Sequence, residues 1–382
     1  MGVAELTRNA VNVLPEGALE KKLAEGRPLR VKLGIDVTAP DVTLGHAIPL
    51  QRMRAFQDEG HTGVLIVGDY TTRIGDPSGR STERPILDEA EIDRNAQTYF
   101  EQASTIIDPS RTEVRFNSEW LAKVDFAEIL RLTRTITVAR LLERDDFANR
   151  FGTGAPISVS ELLYPLMQAY DSVAIEADVE LGGTDQLYNL LAGREVMEAY
   201  GLEPQLALTV PLLVSWDGAR MSSSRGNYIG VAEAPEEQFG KAMRISDDQL
   251  PQWFELVMEE PAPEGDPLEA KLALARFIVE RSHGAEAART AEEHFTRVVR
   301  EGKPPDEDEI PQIELPPGDP VHLPALLASA FGMTTSEARR LIGQGAVRVN
   351  GEAVTELDLQ QETLIGALVQ AGKRRFFRLT GP

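Results

Sequence analysis

A strand-like alternation over residues 29–36 runs through a short loop into a helix-like stretch carrying Leu50, Met53 and Phe56, and a second strand-like run follows at 63–67. That order makes a βαβ unit, which commits this part of the chain to parallel strands bridged by a helix. The loop closes on Thr43-Leu44-Gly45-His46. There the first backbone N–H groups of the helix lack helical partners, so a phosphate would sit well against them. Strand-like runs at 114–116 and 206–214 then alternate with helical ones at 126–132 and 187–200. The pattern predicts an α/β, Rossmann-like domain with a mostly parallel sheet covered by helices. Ligands of such sheets bind beyond the carboxyl ends of the strands, where the loops carrying Asp36, Asp76 and Ser222 are predicted to lie.

At 382 residues with 42% apolar content, two or three domains are expected. There is no cysteine, and the five histidines form no tight pair, so disulfides and thiolate zinc sites are excluded and no metal ligands are assigned. No cationic stretch precedes an apolar one at the start, and no apolar run is long enough for a bilayer, so the expected setting is the cytoplasm without membrane contact. A formal charge of -22 disfavours nucleic-acid binding by the whole surface. Any RNA contact must be local, and the chain from Val321 onward carries +2 while the rest carries -24.

The organisation read from these patterns is a Rossmann-like domain over 1–228, a helical domain over 229–303, a proline-rich acidic linker over 304–320 and a small α+β domain over 321–382. The linker holds six prolines and the run Asp306-Glu307-Asp308-Glu309. Beyond it, Thr335-Ser336-Glu337 opens a short capped helix, residues 346–349 read as a strand, and Asn350-Gly351 reads as a tight turn.

Three further clusters carry chemistry. Tyr164, Gln168 and Asp171 are spaced i, i+4, i+7, on one face of a helix that Ser158 and Glu161 can cap; Pro165 is expected to kink it. Gly182-Gly183-Thr184-Asp185-Gln186 places two glycines before an acid and an amide at a helix start. Arg220-Met221-Ser222-Ser223-Ser224-Arg225 supplies cations and hydroxyls in a loop suited to clamping a polyphosphate. Gly75-Asp76-Pro77-Ser78-Gly79-Arg80-Ser81 is not a phosphate loop, because three residues separate its glycines and Arg80 stands in the lysine position.

With the His46 and Ser222 segments in this order, the chain resembles the class I aminoacyl-tRNA synthetases, whose signatures read His-(apolar)-Gly-His and Lys-Met-Ser-Lys-Ser. It is most similar to the bacterial tyrosyl enzymes, through residues 36–41, 74–79 and 182–186 and through Tyr164, Gln168 and Asp171. The resemblance implies ATP, L-tyrosine and tRNA(Tyr) as partners, Mg²⁺ accompanying ATP, no tightly bound cofactor, and a homodimer acting in protein synthesis. It implies that Thr38, Thr43, His46, Arg220, Ser222, Ser223 and Arg225 act on the phosphates. Thr43 stands where the family usually has His, Ser223 where it has its second Lys, and charge is kept on Arg220 and Arg225.

By the same resemblance, Asp171 accepts the substrate phenol, Asp76, Tyr164 and Gln168 hold its ammonium, and Gln186 meets its carboxylate. Gly34, Asp36, Gly45, His46, Gly183, Asp185, Met221 and Ser222 line the ATP site. Lys32 stands where many tyrosyl enzymes carry a tyrosine; it reaches the phenol, pairs with an acid, or is a surface lysine at a strand end. Residues 229–303 correspond to the domain reading the anticodon region, and 321–382 to the small RNA-binding domain first known from a ribosomal small-subunit protein. Arg80, Arg84, Lys373, Arg374, Arg375 and Arg378 are the candidate tRNA contacts, the last four interleaved with Phe376 and Phe377. The alternatives are a tryptophanyl-tRNA synthetase, which shares the fold, and a paralogue that binds RNA without charging it.

Overall fold

The computed structural model describes residues 2–76, 88–304, 310–372 and 375–381. The chain divides into two compact units, Met1–Ala234 with Lys241–Ile278, and Pro235–Gly240 with Val279–Pro382.

The first unit is built on six strands: β1 (Asn12–Leu14), β2 (Arg30–Ile35), β3 (Thr62–Val67), β4 (Thr112–Phe116), β5 (Val179–Gly183) and β6 (Leu206–Val210). They lie in the order β1-β6-β5-β2-β3-β4, all parallel except β1, which runs antiparallel to β6. The inner strands are near-continuous apolar runs because helices cover both faces of a parallel sheet, and β6 is buried at every position. Strand order reverses between β2 and β5. The chain leaves β2 toward β3 on one side and returns as β5 on the other, which opens a crevice at the carboxyl ends of these two strands.

Four helices frame that crevice: α1 (Leu44–Asp58), α2 (Glu89–Ala103), α3 (Val159–Ile175) and α4 (Leu187–Ala199). The apolar positions of α1 read from the sequence, Leu50, Met53 and Phe56, are fully buried and pack on β2, β3 and β5. Helices α3 and α4 pack on each other, with Leu166, Ala169, Ala192 and Val196 in a common core.

The second unit carries strands β7 (Gln312–Glu314), β8 (Val321–His322), β9 (Val347–Val349), β10 (Glu352–Ala353), β11 (Asp358–Leu359), β12 (Leu368–Ala371) and β13 (Arg375–Thr380). Five form a sheet in the order β10-β9-β12-β13-β7, and β8 pairs with β11. The tight turn at Asn350-Gly351 is present, both residues having positive φ between the paired β9 and β10.

Two features differ from the sequence reading. Residues 312–314, inside the stretch read as linker, form an edge strand parallel to β13, because Ile313 between polar neighbours has an apolar cluster to pack on. Phe376 and Phe377 are buried in that cluster or beside it rather than offered to solvent, and Phe331 packs on Phe377 at 5.2 Å between ring centroids. The expected helical character of 229–303 is found in Pro235–Ala242, Pro267–His283 and Ala285–Phe295. The compact units cut across that range, since apolar periodicity predicts a helix but not the core it joins. Among the described residues no helix is long and apolar enough to cross a membrane.

The interior of the first unit has little slack at α4. A Cβ added at Gly193 would lie 2.5 Å from Nε2 of Gln205, a fully buried side chain held by the Glu180 carboxylate. Gly193→Ala is therefore expected to lower the unfolding free energy by about 1–3 kcal/mol through overpacking, read as a lower urea midpoint. A midpoint equal to the parent's contradicts this packing.

Candidate active site

A single cavity of about 670 Å³ occupies the crevice between the carboxyl ends of β2 and β5. Its inner end is made by α3. Ser158 caps this helix, and its backbone N–H donates to the Glu161 carboxylate at 3.1 Å, so the capping box read from the sequence is formed. The i, i+4, i+7 spacing then brings Tyr164, Gln168 and Asp171 to the cavity wall despite Pro165 inside the helix. The Asp171 carboxylate is 3% exposed and accepts hydrogen bonds from Trp120 Nε1 at 2.8 Å and Asn117 Nδ2 at 3.4 Å. Burial pushes its pKa up to about 7, against the pull of Lys32 and of these two donors. Tyr164 donates its hydroxyl to Asp36 at 3.0 Å, and Asp36 also accepts from Thr71 at 2.8 Å.

Beside α3 lies a chain of amides whose orientations are fixed by their partners. Gln168 donates to Glu180 at 3.1 Å and accepts from Asn189 Nδ2 at 2.9 Å. The same Asn189 group donates to Gln186 at 3.0 Å, and Gln186 donates to Asp76 at 2.8 Å. Arg144, 6% exposed, closes the set by donating to Asn189 Oδ1 at 3.0 Å and standing 3.5 Å from Asp76.

The outer end is assembled from the two distant motifs. Thr43 and Gly230 form an antiparallel bridge, and around it Leu44 N donates to Ile229 O at 2.9 Å and Val231 N to Val42 O at 2.8 Å. This backbone stitch places the start of α1 beside the 220–225 loop. Thr43 caps α1, and its backbone N–H donates to Nδ1 of His46 at 3.3 Å. Nδ1 is thereby the acceptor, so the ring hydrogen belongs on Nε2. The surrounding protein and then the positive Arg220 lower the His46 pKa to about 4, so at neutral pH this ring is an uncharged donor on the cavity wall, with its open side toward the cavity.

The 220–225 loop is pinned from below by Asn227. Its Oδ1 accepts from Ser222 N at 2.9 Å, and its Nδ2 donates to Arg220 O at 3.2 Å and to Asp217 at 2.9 Å. Arg220 pairs with Asp185 at the end of β5, where burial raises the Asp185 pKa although Arg220 opposes it. Gly183 is required by close approach, since a Cβ there would meet Leu212 at 2.6 Å and Asp185 Oδ1 at 2.8 Å.

The cavity thus gathers Gly34, Asp36, Thr38, Gly45, His46, Asp76, Tyr164, Gln168, Asp171, Gly183, Asp185, Gln186, Arg220, Met221, Ser222, Ser223 and Arg225. It does not include Thr43 or Lys32. The Thr43 hydroxyl is buried and accepts from His46 N, because a threonine before a helix start satisfies the exposed N–H groups there. Lys32 is fully buried and pairs with Glu180 at 2.9 Å behind the wall, so of its three readings the structure adopts the acid pairing. Arg375 and Arg378 lie on β13, where Arg375 is half exposed near Glu337 and Arg378 donates to Gly366 O at 3.0 Å. Arg80, Arg84, Lys373 and Arg374 lie outside the described residues. Sequence reasoning missed Thr71, Asn117, Trp120, Arg144, Asn189 and Asn227. Only Trp120 carried a signal, as one of three tryptophans in the chain.

A Rossmann-like sheet with a histidine at the first helix start and a Met-Ser-Ser loop stitched beside it defines the class. The chain belongs to the class I tRNA synthetases: the family described as "tRNA synthetases class I (W and Y)" matches residues 24–300, and the S4 domain matches residues 323–359. Within that family it falls among the bacterial tyrosyl-tRNA synthetases. It is 49% identical to the tyrosine-tRNA ligase of Moorella thermoacetica over 98% of this chain and 94% of that one, and 45% identical to that of Thermotoga maritima over 98% and 96%. The tyrosyl-tRNA synthetase of Archaeoglobus fulgidus, solved with L-tyrosine, shares the fold with a TM-score of 0.60 at 23% identity, over 75% of this chain and 98% of that one.

The raised pKa of Asp171 has a consequence for stability. Between its ordinary value of 3.8 and about 7, the folded protein holds a proton that the unfolded chain has released. Folding therefore loses stability through this group as pH rises across that window, and the full penalty stands above it. Asp171→Asn keeps an acceptor for Trp120 and removes the titration. It is expected to be more stable than the parent at pH 8 by on the order of 3 kcal/mol, with the gap closing toward pH 4, in paired urea titrations. A gap independent of pH contradicts the assignment.

Proposed function

We propose that this chain activates L-tyrosine with ATP and transfers the tyrosyl group to tRNA(Tyr). The observation that carries the reading is one cavity with a buried carboxylate acceptor at its inner end and a helix start with a polyphosphate-type loop at its outer end. A phenolic O–H in that inner end donates to Asp171 alongside Trp120 and Asn117. A phenylalanine side chain would leave the carboxylate buried without it, and the cost of that vacancy is what discriminates between them.

The substrate carboxylate attacks the α-phosphorus of ATP and pyrophosphate leaves; in the second step a hydroxyl of the terminal tRNA ribose attacks the acyl carbon and AMP leaves. No nucleophile of the protein is needed, so the protein contributes position and charge. Asp76, Tyr164 and Gln168 hold the ammonium, their orientations fixed by Asp36, Glu180 and Asn189. Gln186 meets the carboxylate, Asp185 the ribose, and the uncharged Nε2–H of His46 donates to a phosphate oxygen beside Thr38 and the hydroxyls of Ser222 and Ser223. Arg220 and Arg225 neutralise the departing pyrophosphate, for which Arg220 exchanges Asp185 for phosphate oxygens. Among the described residues no cluster of three or more acids or histidines could cage a cation. Mg²⁺ accompanies ATP, held by its phosphates.

The C-terminal unit handles tRNA, with Arg375 and Arg378 among the backbone contacts and the adjacent phenylalanines as core. We further infer a cytoplasmic homodimer. Five of the eight large apolar side chains that stand exposed among the described residues fall between 126 and 159: Phe126, Leu130, Val138, Phe151 and Val159. Such clustering suits a self-complementary interface more than scattered surface apolar groups.

ATP-pyrophosphate exchange with each amino acid in turn, without tRNA, tests the main reading. L-tyrosine is expected to support exchange, and phenylalanine and tryptophan to support it at least about a hundredfold less. Asp171→Ala should abolish most tyrosine-dependent exchange while the protein remains folded. Robust exchange with tryptophan, or full activity in the alanine variant, overturns it. For the assembly, Phe151→Asp is expected to halve the mass seen in sedimentation at micromolar protein. An unchanged mass would place the interface elsewhere.

A further inference from the structure

Behind the cavity wall lies a charged pair that the reaction as proposed does not use. Lys32 on β2 and Glu180 on β5 are cross-strand partners in the sheet register, at the point where strand order reverses. Their side chains are 0% and 1% exposed and meet at 2.9 Å. The Lys32 ammonium also donates to Gln168 O at 2.9 Å and to Ser172 Oγ at 2.7 Å, so it sits under the turn of α3 that carries Asp171. Glu180 is held by Gln168 at 3.1 Å, by Ser172 at 3.4 Å and by Gln205. Two ions removed from water into a sheet interior are a weak source of stability, because desolvation offsets most of their attraction.

We propose that the Lys32–Glu180 pair is the charge-setting device of the tyrosine subsite: Lys32 keeps the Asp171 carboxylate ionised inside the pocket, and Glu180 limits how far, which makes both positioning residues for substrate selection. The inference rests on the reading that Asp171 accepts the phenol. The groups facing Asp171 support it. Trp120 and Asn117 approach as neutral donors, Arg115 stands over the Trp120 ring, and the buried cation and carboxylate on the sheet side are Lys32 on β2 and Glu180 on β5. Lys32 reaches the hydroxyl of Ser172, the residue after Asp171, at 2.7 Å, and Glu180 stands 3.4 Å from the same hydroxyl, so the cation is the nearer of the two charges to that turn. A protonated Asp171 is a weaker acceptor and adds a donor facing the phenol, so tyrosine capture favours the ionised form.

The test is kcat/KM for tyrosine in ATP-pyrophosphate exchange from about pH 5.5 to about pH 9, which follows the ionisation of the free enzyme. Two variants are compared with the parent: Glu180→Gln, and the double variant Lys32→Met with Glu180→Gln, in which the amide oxygen still accepts from Gln168 Nε2 and the amide N–H donates to Gln205 once that side chain turns its oxygen inward. Glu180→Gln is expected to move the acid-side midpoint down by about half a unit or more, and the double variant to move it up by about one unit. The loss in the double variant should be greatest at low pH, and KM for tyrosine should change more than KM for ATP. Opposite displacements are what a merely structural pair does not produce. Displacements of the same sign, none at all, or a loss equal at every pH overturn the proposal. If the double variant does not fold, as read by thermal melting, the downward displacement in Glu180→Gln alone decides the matter. A parent protein with no tyrosine-dependent exchange would instead defeat the functional reading itself.

Discussion

The adjacency of β2 and β5 is the constraint on which the rest of the first unit depends. Because the chain leaves β2 in one direction and returns as β5 from the other, no crossover helix covers the carboxyl ends of this pair, and a crevice is left there. Every wall of the cavity follows. The end of β2 brings Asp36, the end of β5 brings Gly183 and Asp185, and α3, entering just before β5, brings Tyr164, Gln168 and Asp171. The outer rim is added by backbone pairing between residues 42–44 and 229–231, which joins segments far apart in sequence and is flanked by the Tyr228 hydroxyl donating to Asp41 at 2.7 Å.

Much of this was legible before any coordinates. Apolar periodicity places β2, β3 and α4 nearly at their observed bounds and α1 by its apolar face, since each is strongly patterned. The face shared by Tyr164, Gln168 and Asp171 followed from helical spacing alone. What could not be read depends on partners. Thr43 is a plausible phosphate donor in sequence, and only the geometry shows its hydroxyl committed to capping α1. Lys32 could face three ways until the register set it against Glu180. Asn189 and Asn227 are ordinary amides in a row of letters, and become hubs because several segments converge on them. Residues 312–314 looked like linker because an edge strand needs only one apolar residue, and its neighbour β13 lies more than sixty residues on.

Electrostatically the protein separates its tasks by burial. The net charge of -22 is a property of the surface, whereas the site works with a few groups held by specific partners. At the inner end one carboxylate is kept from water and tuned by a buried pair. At the outer end an uncharged imidazole and two arginines face the space where phosphates are proposed to sit, and Arg220 rests on Asp185. Such placement lets an acidic protein take up a polyanion locally while its surface repels others. The cost is a destabilised carboxylate at Asp171, as expected where function and stability compete for one residue.

The most direct measurement is a crystal structure of the full chain with a nonhydrolysable tyrosyl-adenylate analogue. The account predicts the phenolic oxygen within hydrogen-bond distance of an Asp171 carboxylate oxygen that still accepts from Trp120, the ribose at Asp185, and the sulfamate or phosphate portion between His46 and Ser222. An analogue bound with its phenol elsewhere, or with the nucleotide outside the crevice between β2 and β5, would contradict it.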